Sequence, residues 1–423
     1  LRKTVFGNPT IDNEDYLSAV VVDNLSGGSQ ADKIDASKQQ RFWRGLCWWI
    51  WPNIITLPPM VDSYTGAAAT AMPLGDYPKG DTLYAAFGTS LREFVPGATE
   101  PDGVYTNVAT LSAAAYAPGV VFNGDFYIPL GSSGYDIWDG AAITPGTAGI
   151  TPIGMLKFDN LLWAFEHNGQ VSYSADGTTW TSPTEFLLQD EEPRRIHQFR
   201  NSDGLDAIIL VTSEAIWYVD PYTPKLWRTK AYWPHHTDFG HGVSVFHVGE
   251  DAYFPQGTGI TRYNGDDYVA PGVGLDRDQG LPHELRGHIQ DMLATYNFNF
   301  ALVHGAESAA DVPDEWYASS GRYRTIPPTF VKPAAISGLF AFDGRGWGQL
   351  WQSTTEGTPS RLVLSSAGGS YRVVWGFDQT IYHMDLDITF ENPEEGFKAG
   401  TQRFQRTGYF ETGRYFMEME GID

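Results

Sequence analysis

From about position 80 onward the chain repeats one pattern: a short run of apolar and aromatic residues, a Gly, Asn or Asp turn, and a second run of the same kind. Thr82-Leu83-Tyr84-Ala85-Ala86-Phe87 meets Gly88-Thr89 and continues as Leu91-Arg92-Glu93-Phe94-Val95. Val120-Val121-Phe122, Asn123-Gly124-Asp125 and Phe126-Tyr127-Ile128-Pro129 follow, then Tyr135-Asp136-Ile137-Trp138. Runs of this length and turn chemistry predict β-hairpins. Later copies centre on 155–173, 207–219, 243–263, 298–342 and 361–375, starting roughly 35 to 60 residues apart, the period of propeller blades. The pattern therefore predicts an all-β fold, a β-propeller of six or seven blades over residues 81–390.

Three segments depart from the repeat. Residues 1–80 lack it, with a turn or linker at Leu25-Ser26-Gly27-Gly28-Ser29-Gln30 and a polar stretch at 32–41, and are expected to form an N-terminal extension or assembly arm. Within the arm, 42–52 holds Trp43, Trp48, Trp49 and Trp51 with neither a period of two nor a helical stripe. That segment is either a buried strand closing the ring or an aromatic anchor for a partner subunit, because Trp dominates interface hot spots. Residues 281–296 predict one inserted helix: Pro282 suits the first turn, Glu284 its dipole, and Leu285, Ile289, Met292, Leu293 and Tyr296 form a stripe, leaving Arg286 and Gln290 outward. Residues 307–332 predict a long loop, and 391–423 a C-terminal β segment whose alternating end is that of a chain continuing further.

Composition adds constraints on partners. The 423 residues suffice for a large core, and 46 Gly with 26 Pro supply the turns that many short strands need. Lys plus Arg number 28 against 51 Asp plus Glu, a net charge of −23, which argues against general nucleic-acid binding. The single cysteine, Cys47, excludes an intrachain disulfide. No apolar run approaches the roughly 20 residues of a membrane-spanning helix.

Candidate chemistry is sparse. Ser174-Ala175-Asp176-Gly177-Thr178-Thr179-Trp180 resembles the Asp-box turn of sialidase-like and other propellers, one residue short, and its role there is structural. His235, His236 and His241, with Asp238, are weak candidates for a metal site, since their spacing matches no zinc motif. Asp190-Glu191-Glu192 and Glu391 with Glu394-Glu395 could supply the two carboxylates of a glycosidase, although solvated loop charge is by far the commoner explanation in so acidic a chain. Arg194-Arg195 is an isolated arginine pair. No phosphate loop, nucleophile elbow or zinc-protease helix is present, and the expectation is no enzymatic activity, no catalytic residue and no cofactor.

Between 196 and 351 stand Ala207-Ile208-Ile209-Leu210-Val211-Thr212 with Ile216-Trp217-Tyr218, the 233–242 loop, Ala252-Tyr253-Phe254-Pro255-Gln256-Gly257-Thr258-Gly259-Ile260, Gly280-Leu281-Pro282-His283-Glu284-Leu285-Arg286-Gly287 and Gly338-Leu339-Phe340-Ala341-Phe342-Asp343-Gly344-Arg345-Gly346-Trp347. In these segments the chain resembles the propeller-bearing tail and nozzle proteins of tailed bacteriophages. The resemblance implies a structural component of a tail, nozzle or tail tip, located in the virion, an assembly scaffold whose partners are copies of itself and other tail proteins. Trp43, Trp48, Trp49 and Trp51 are then the expected interface residues. The alternative is a carbohydrate-binding or glycan-hydrolysing propeller, in which Trp and Tyr stack on sugar rings beside paired acids.

Overall fold

The computed structural model describes most of residues 58–386, apart from 270–286, 306–336 and shorter loops, and beyond them a few short strands. Strands in sequence order pair antiparallel with their neighbours in consecutive sheets, and seven such sheets form the blades of a β-propeller. Blade 1 is Ala71–Tyr77, Thr82–Phe87, Ser90–Pro96 and Gly103–Thr110. Blade 2 is Val120–Phe122, Asp125–Pro129, Tyr135–Trp138 and Ile143–Pro145; blade 3 is Pro152–Phe158, Leu161–Glu166, Val171–Ser174 and Trp180–Thr181. Blade 4 is Pro193–Arg200, Asp206–Thr212, Ala215–Asp220 and Lys225–Tyr232; blade 5 is Phe246–Val248, Asp251–Gln256, Gly259–Tyr263 and Tyr268–Val269. Blade 6 is built on Gly287–Ala294, Asn299–Gly305, Gly338–Phe342 and Trp347–Gln352, and blade 7 on Pro359–Ser365, Arg372–Phe377 and Thr380–Asp385.

The alternation that predicts the strands also builds the core. Middle strands such as 82–87, 207–211 and 372–377 are buried on both faces, so each blade presents apolar side chains to both neighbours. The buried residues accordingly fall into seven clusters, each spanning one blade junction, including Ala71, Leu83 and Phe87 of blade 1 with Val363, Val374 and Ile381 of blade 7. That last cluster shows that the ring is closed. Trp163 and Trp375 are essentially inaccessible, and burying an aromatic of this size contributes about 2–3 kcal/mol. Asn123 and Gly124 take positive φ, 51° and 91°, in a two-residue hairpin turn, the primed geometry expected of Asn-Gly.

Closure uses the N-terminal side of the chain. Val61–Thr65 is the fourth strand of blade 7, pairing antiparallel with Thr380–Asp385 from Thr65↔Thr380 to Val61↔Met384. The expected boundary at residue 80 therefore moves: the strands Val61–Thr65 and Ala71–Tyr77 belong to the ring, and the turn-poor 61–65 run escaped the hairpin pattern because its partner lies at the other end of the chain. Phe42–Leu46, a candidate for the closing strand, instead lies beyond the fourth strand of blade 6, meeting it in parallel through Leu46↔Gln349 and pairing antiparallel with Tyr409–Thr412.

The inserted helix is not formed. Gly287–Ala294 is the innermost strand of blade 6, and no α-helix occurs among the described residues, which hold only the 3-10 turns Gly131–Ser133 and Thr184–Phe186. A register shift between Ile289 and Asp291 explains the misleading pattern: the extra residue places Ile289 and Met292 both in the core, three apart, as a helix would. Gln290, expected outward, is buried, while Pro282, Glu284, Leu285, Arg286 and Tyr296 lie outside the described residues. The 307–332 loop also lies outside them. No described helix is long and apolar enough to cross a membrane.

Candidate functional site

The first strand of each blade faces the propeller axis, and there the described residues line an open cavity of about 630 Å³. Its wall combines apolar side chains, among them Met155, Ile196 and Met292, with Arg195, His197, Ser244 and Asp291. Arg195 owes its place to a register shift between Pro193 and Arg195, which separates the two adjacent arginines. Arg194 turns to Glu192, 3.2 Å away, while Arg195 crosses the backbone of Gly154 in blade 3, where a Cβ would stand 2.9 Å from its Cδ and Nε. The Arg195 guanidinium makes no hydrogen bond or ion pair with the described residues.

Asp291 is buried and accepts hydrogen bonds from the backbone N–H of Met292 and of Leu362, each at 2.9 Å, so peptide dipoles hold it. Burial pushes its carboxyl pKa up, against the pull of Arg361 and Arg195. Arg361, 1% exposed on the first strand of blade 7, donates to the Gln290 carbonyl at 3.4 Å. Burial, then the like charge of Arg361, pushes Arg195 down to about 10, which still leaves it protonated at neutral pH. His197 lies against the Gly242 carbonyl, 2.8 Å from Nε2, and burial drives its pKa down to about 3, so it is neutral.

The residues singled out in the sequence are dispersed. Trp43 lies in Phe42–Leu46 and Trp51 in the Ile50–Trp51 strand that pairs with Ile54–Ile55; Trp48 and Trp49 lie outside the described residues. His235, His236 and Asp238 also lie outside them, whereas His241 is buried in blade 5, its Nε2 3.1 Å from the Thr212 carbonyl and its ring edge-on to Trp233. No group of three or more metal-ligating side chains occurs among the described residues. The Asp190-Glu191-Glu192 run does not converge on the channel. Glu191 accepts from Thr212 Oγ1 and from Trp217 Nε1 and pairs with Arg228 at 3.2 Å, tying the entry of blade 4 to its outer strands. Glu391, Glu394 and Glu395 are outside the described residues.

The Asp-turn clamps two blades. Asp176 Oδ1 accepts from the N–H groups of Thr178 and Thr179, and Ser174 Oγ from Gly177 N, so the turn is self-satisfied and the Asp176 pKa falls well below the ordinary carboxylate range, chiefly through those backbone donors. Trp180 then reaches across to blade 2, its Nε1 donating to the Tyr135 hydroxyl at 2.8 Å. Tyr135 in turn donates to the Gly177 carbonyl at 3.1 Å.

A second surface, on the outer strand of blade 4, was not legible as special. Lys225–Tyr232 exposes Trp227 (50%) and Tyr232 (70%), Tyr222 beside it is 75% exposed, and Trp227 stacks on Tyr218 with rings 5.9 Å apart and 7° from parallel. Lys225 and Lys230 on the same strand make no ion pair with the described residues. The available signal was the run Lys225-Leu226-Trp227-Arg228-Thr229-Lys230, three cations in six residues of an acidic chain.

No protein-family model matches this chain, and no curated protein does. Similar solved structures are propeller proteins of varied origin. The extracellular domain of a proposed one-component system from B. thetaiotaomicron aligns with 77% of this chain at 11% identity and a TM-score of 0.49, the match covering 39% of that chain. The chain thus spans about two fifths of that domain. YCF48 bound to D1 peptide aligns with 78% of this chain and 96% of its own, at 11% identity and a TM-score of 0.49. The WD40 β-propeller domain of Doa1 aligns with 79% and 97%, at 8% identity and a TM-score of 0.46. The likeness is one of fold alone, and the ring itself rests on the strand order and the seven inter-blade cores.

Proposed function

We propose that this chain is a non-enzymatic assembly subunit, in its most specific form the structural component of a bacteriophage tail implied by the sequence resemblance, acting in the virion through contacts with copies of itself and with other tail proteins. The observation that carries the reading is the outer wall of blade 4. Exposed Trp and Tyr on a strand that also holds Lys225 and Lys230 make an unusual patch on a chain of net charge −23, complementary to the acidic surface of a neighbouring copy. Blade 6 supports it, because its outer edge already accepts Phe42–Leu46 as an added strand. Glu191 of the acidic run is bound to Thr212, Trp217 and Arg228, which favours the assembly reading over a glycan hydrolase that would use this carboxylate.

The test is a Trp227→Ser/Tyr232→Ser double variant followed by mass photometry and by incorporation into particles. The expected result is a folded ring whose association weakens by about thirtyfold or more, the scale of losing one aromatic hot spot. Unchanged association, or cleavage of a glycan panel abolished by Glu191→Gln, would turn the assignment toward the carbohydrate-active alternative.

A further inference from the structure

We propose that the central channel binds a small organic carboxylate, its carboxylate seated on the Arg195 guanidinium and its apolar body lying against Met155, Ile196 and Met292. The channel is a site distinct from the outer walls that carry the assembly reading, and the inference stands whether or not that reading holds.

Four observations lead there. First, the space is a cavity of about 630 Å³, within the range of pockets that enclose small organic ligands. Second, Arg195 brings a guanidinium fork into it without a hydrogen bond or ion pair from any described residue, whereas its neighbour Arg194 is paired with Glu192. A cation placed in a half-apolar wall loses hydration, and an anionic ligand restores what the wall does not supply.

Third, the one acid lining the cavity is already engaged. Both Asp291 carboxylate oxygens accept backbone N–H groups, from Met292 and Leu362, and Arg361 sits behind the same wall. Arg195 is then the one charged group of the cavity wall that no hydrogen bond or ion pair among the described residues engages, and a single guanidinium fork suits a monoanion rather than a phosphate dianion. His197 and His247 add no charge, since burial lowers the pKa of each. Fourth, the planar guanidinium pairs bidentately with a planar carboxylate, and the path of the Arg195 side chain over Gly154 depends on the absence of a Cβ there.

The test is titration of the whole chain with benzoate, with benzamide as the neutral isostere and inorganic phosphate as the competing anion, read by calorimetry and by ligand-observed NMR. Benzoate is expected to bind saturably at one site, with benzamide and phosphate weaker by about tenfold or more. Arg195→Gln is expected to lose about tenfold in benzoate affinity while Arg228→Gln, on the outer wall, changes nothing. Should Arg195→Gln fail to fold, Gly154→Ala serves instead: it keeps the charge but displaces the side chain, and is expected to weaken benzoate binding. Equal affinity for benzoate in the wild type and in either channel variant would overturn the proposal, as would phosphate binding as tightly as benzoate, or no saturation by benzoate at about 10 mM.

Discussion

The junction between blades 2 and 3 and the junction between blades 7 and 1 perform the same mechanical task with different means. Blades 2 and 3 are consecutive in sequence, and a single turn of blade 3 supplies the polar contacts: Trp180 donates to Tyr135 and meets it edge-on at 5.8 Å, while the carbonyls of Ala175, Gly177 and Thr178 accept from Asn123, Tyr135 and Thr147. Blade 1 and the strands 359–385 of blade 7 come from opposite ends of the chain, and their junction is fastened several times over. The Ala71 N–H donates to the Asp378 carbonyl at 2.8 Å, and Asp76 accepts from Ser365 Oγ and from Ser366 N, each at 2.5 Å. Tyr64, on the closing strand, stacks on His383 at 4.8 Å and packs against Phe94 of blade 1 at 5.0 Å, and Arg372 lies over the same Phe94 while pairing with Asp385 at 2.7 Å. Where the chain already tethers two blades, a local clamp is enough. Where three strands of blade 7 come from the other end of the chain and meet blade 1 and the closing strand by non-covalent contact alone, backbone, carboxylate and aromatic contacts are stacked on one another.

The sharpest way to break this contrast is Gly376→Ala. A Cβ there would come 2.1 Å from the Ala71 carbonyl oxygen and 2.2 Å from Ser360 Oγ, so backbone must separate at the closing junction. The expected loss is about 3 kcal/mol or more, read by denaturant unfolding. Asp76→Ala comes next, leaving the Ser366 N–H and the Ser365 hydroxyl without their acceptor, at a cost of about 2 kcal/mol.

Acid should act on the same junction. Burial opposes ionisation of Asp385, yet Arg372 and His383 beside it outweigh that cost and hold its pKa down at about 2. The folded-state value lies below the unfolded one, so the contribution is complete above about pH 4 and is lost as the pH falls toward 2. A pH series of melting temperatures should show a loss of about 2 kcal/mol across that window, absent in Asp385→Asn. The smallest effect is expected of Trp180→Phe, about 1 kcal/mol for one hydrogen bond with most ring packing retained. A larger loss for Trp180→Phe than for Asp76→Ala would refute the idea that closure is the more heavily fastened junction.

Most of the ring was legible because its strands are local pairs. The turns at Gly88-Thr89, Asn123-Gly124 and Asp159-Asn160 join strands at their expected positions, and an amino-acid pattern of period two reports such neighbours directly. Legibility failed where a partner is distant or a register is broken. The closing strand Val61–Thr65 looks like arm because what makes it a blade strand is Thr380–Asp385. Gly287–Ala294 resembles a helix because its bulge spaces Ile289 and Met292 by three. The channel was hidden for the same reason. Arg195, Asp291 and Arg361 belong to three different blades, and within the sequence each is an ordinary charged residue beside apolar ones. Only Arg194-Arg195 was visible as a pair, and the fold separates its two members.

The placement of Val61–Thr65 also sets an order in time. Its partners Thr380 to Met384 are made last among the described blade strands, so while six blades accumulate the strand waits with no sheet to join. Bringing together segments about 320 residues apart carries a loop-closure penalty on the order of 5 kcal/mol if the intervening chain were unstructured. Blades folded beforehand remove most of that penalty by bending the chain back toward its start. A ring opened at this pairing would leave the blade 7 edge at Thr380–Asp385 unpaired, the edge most exposed to pairing with another copy.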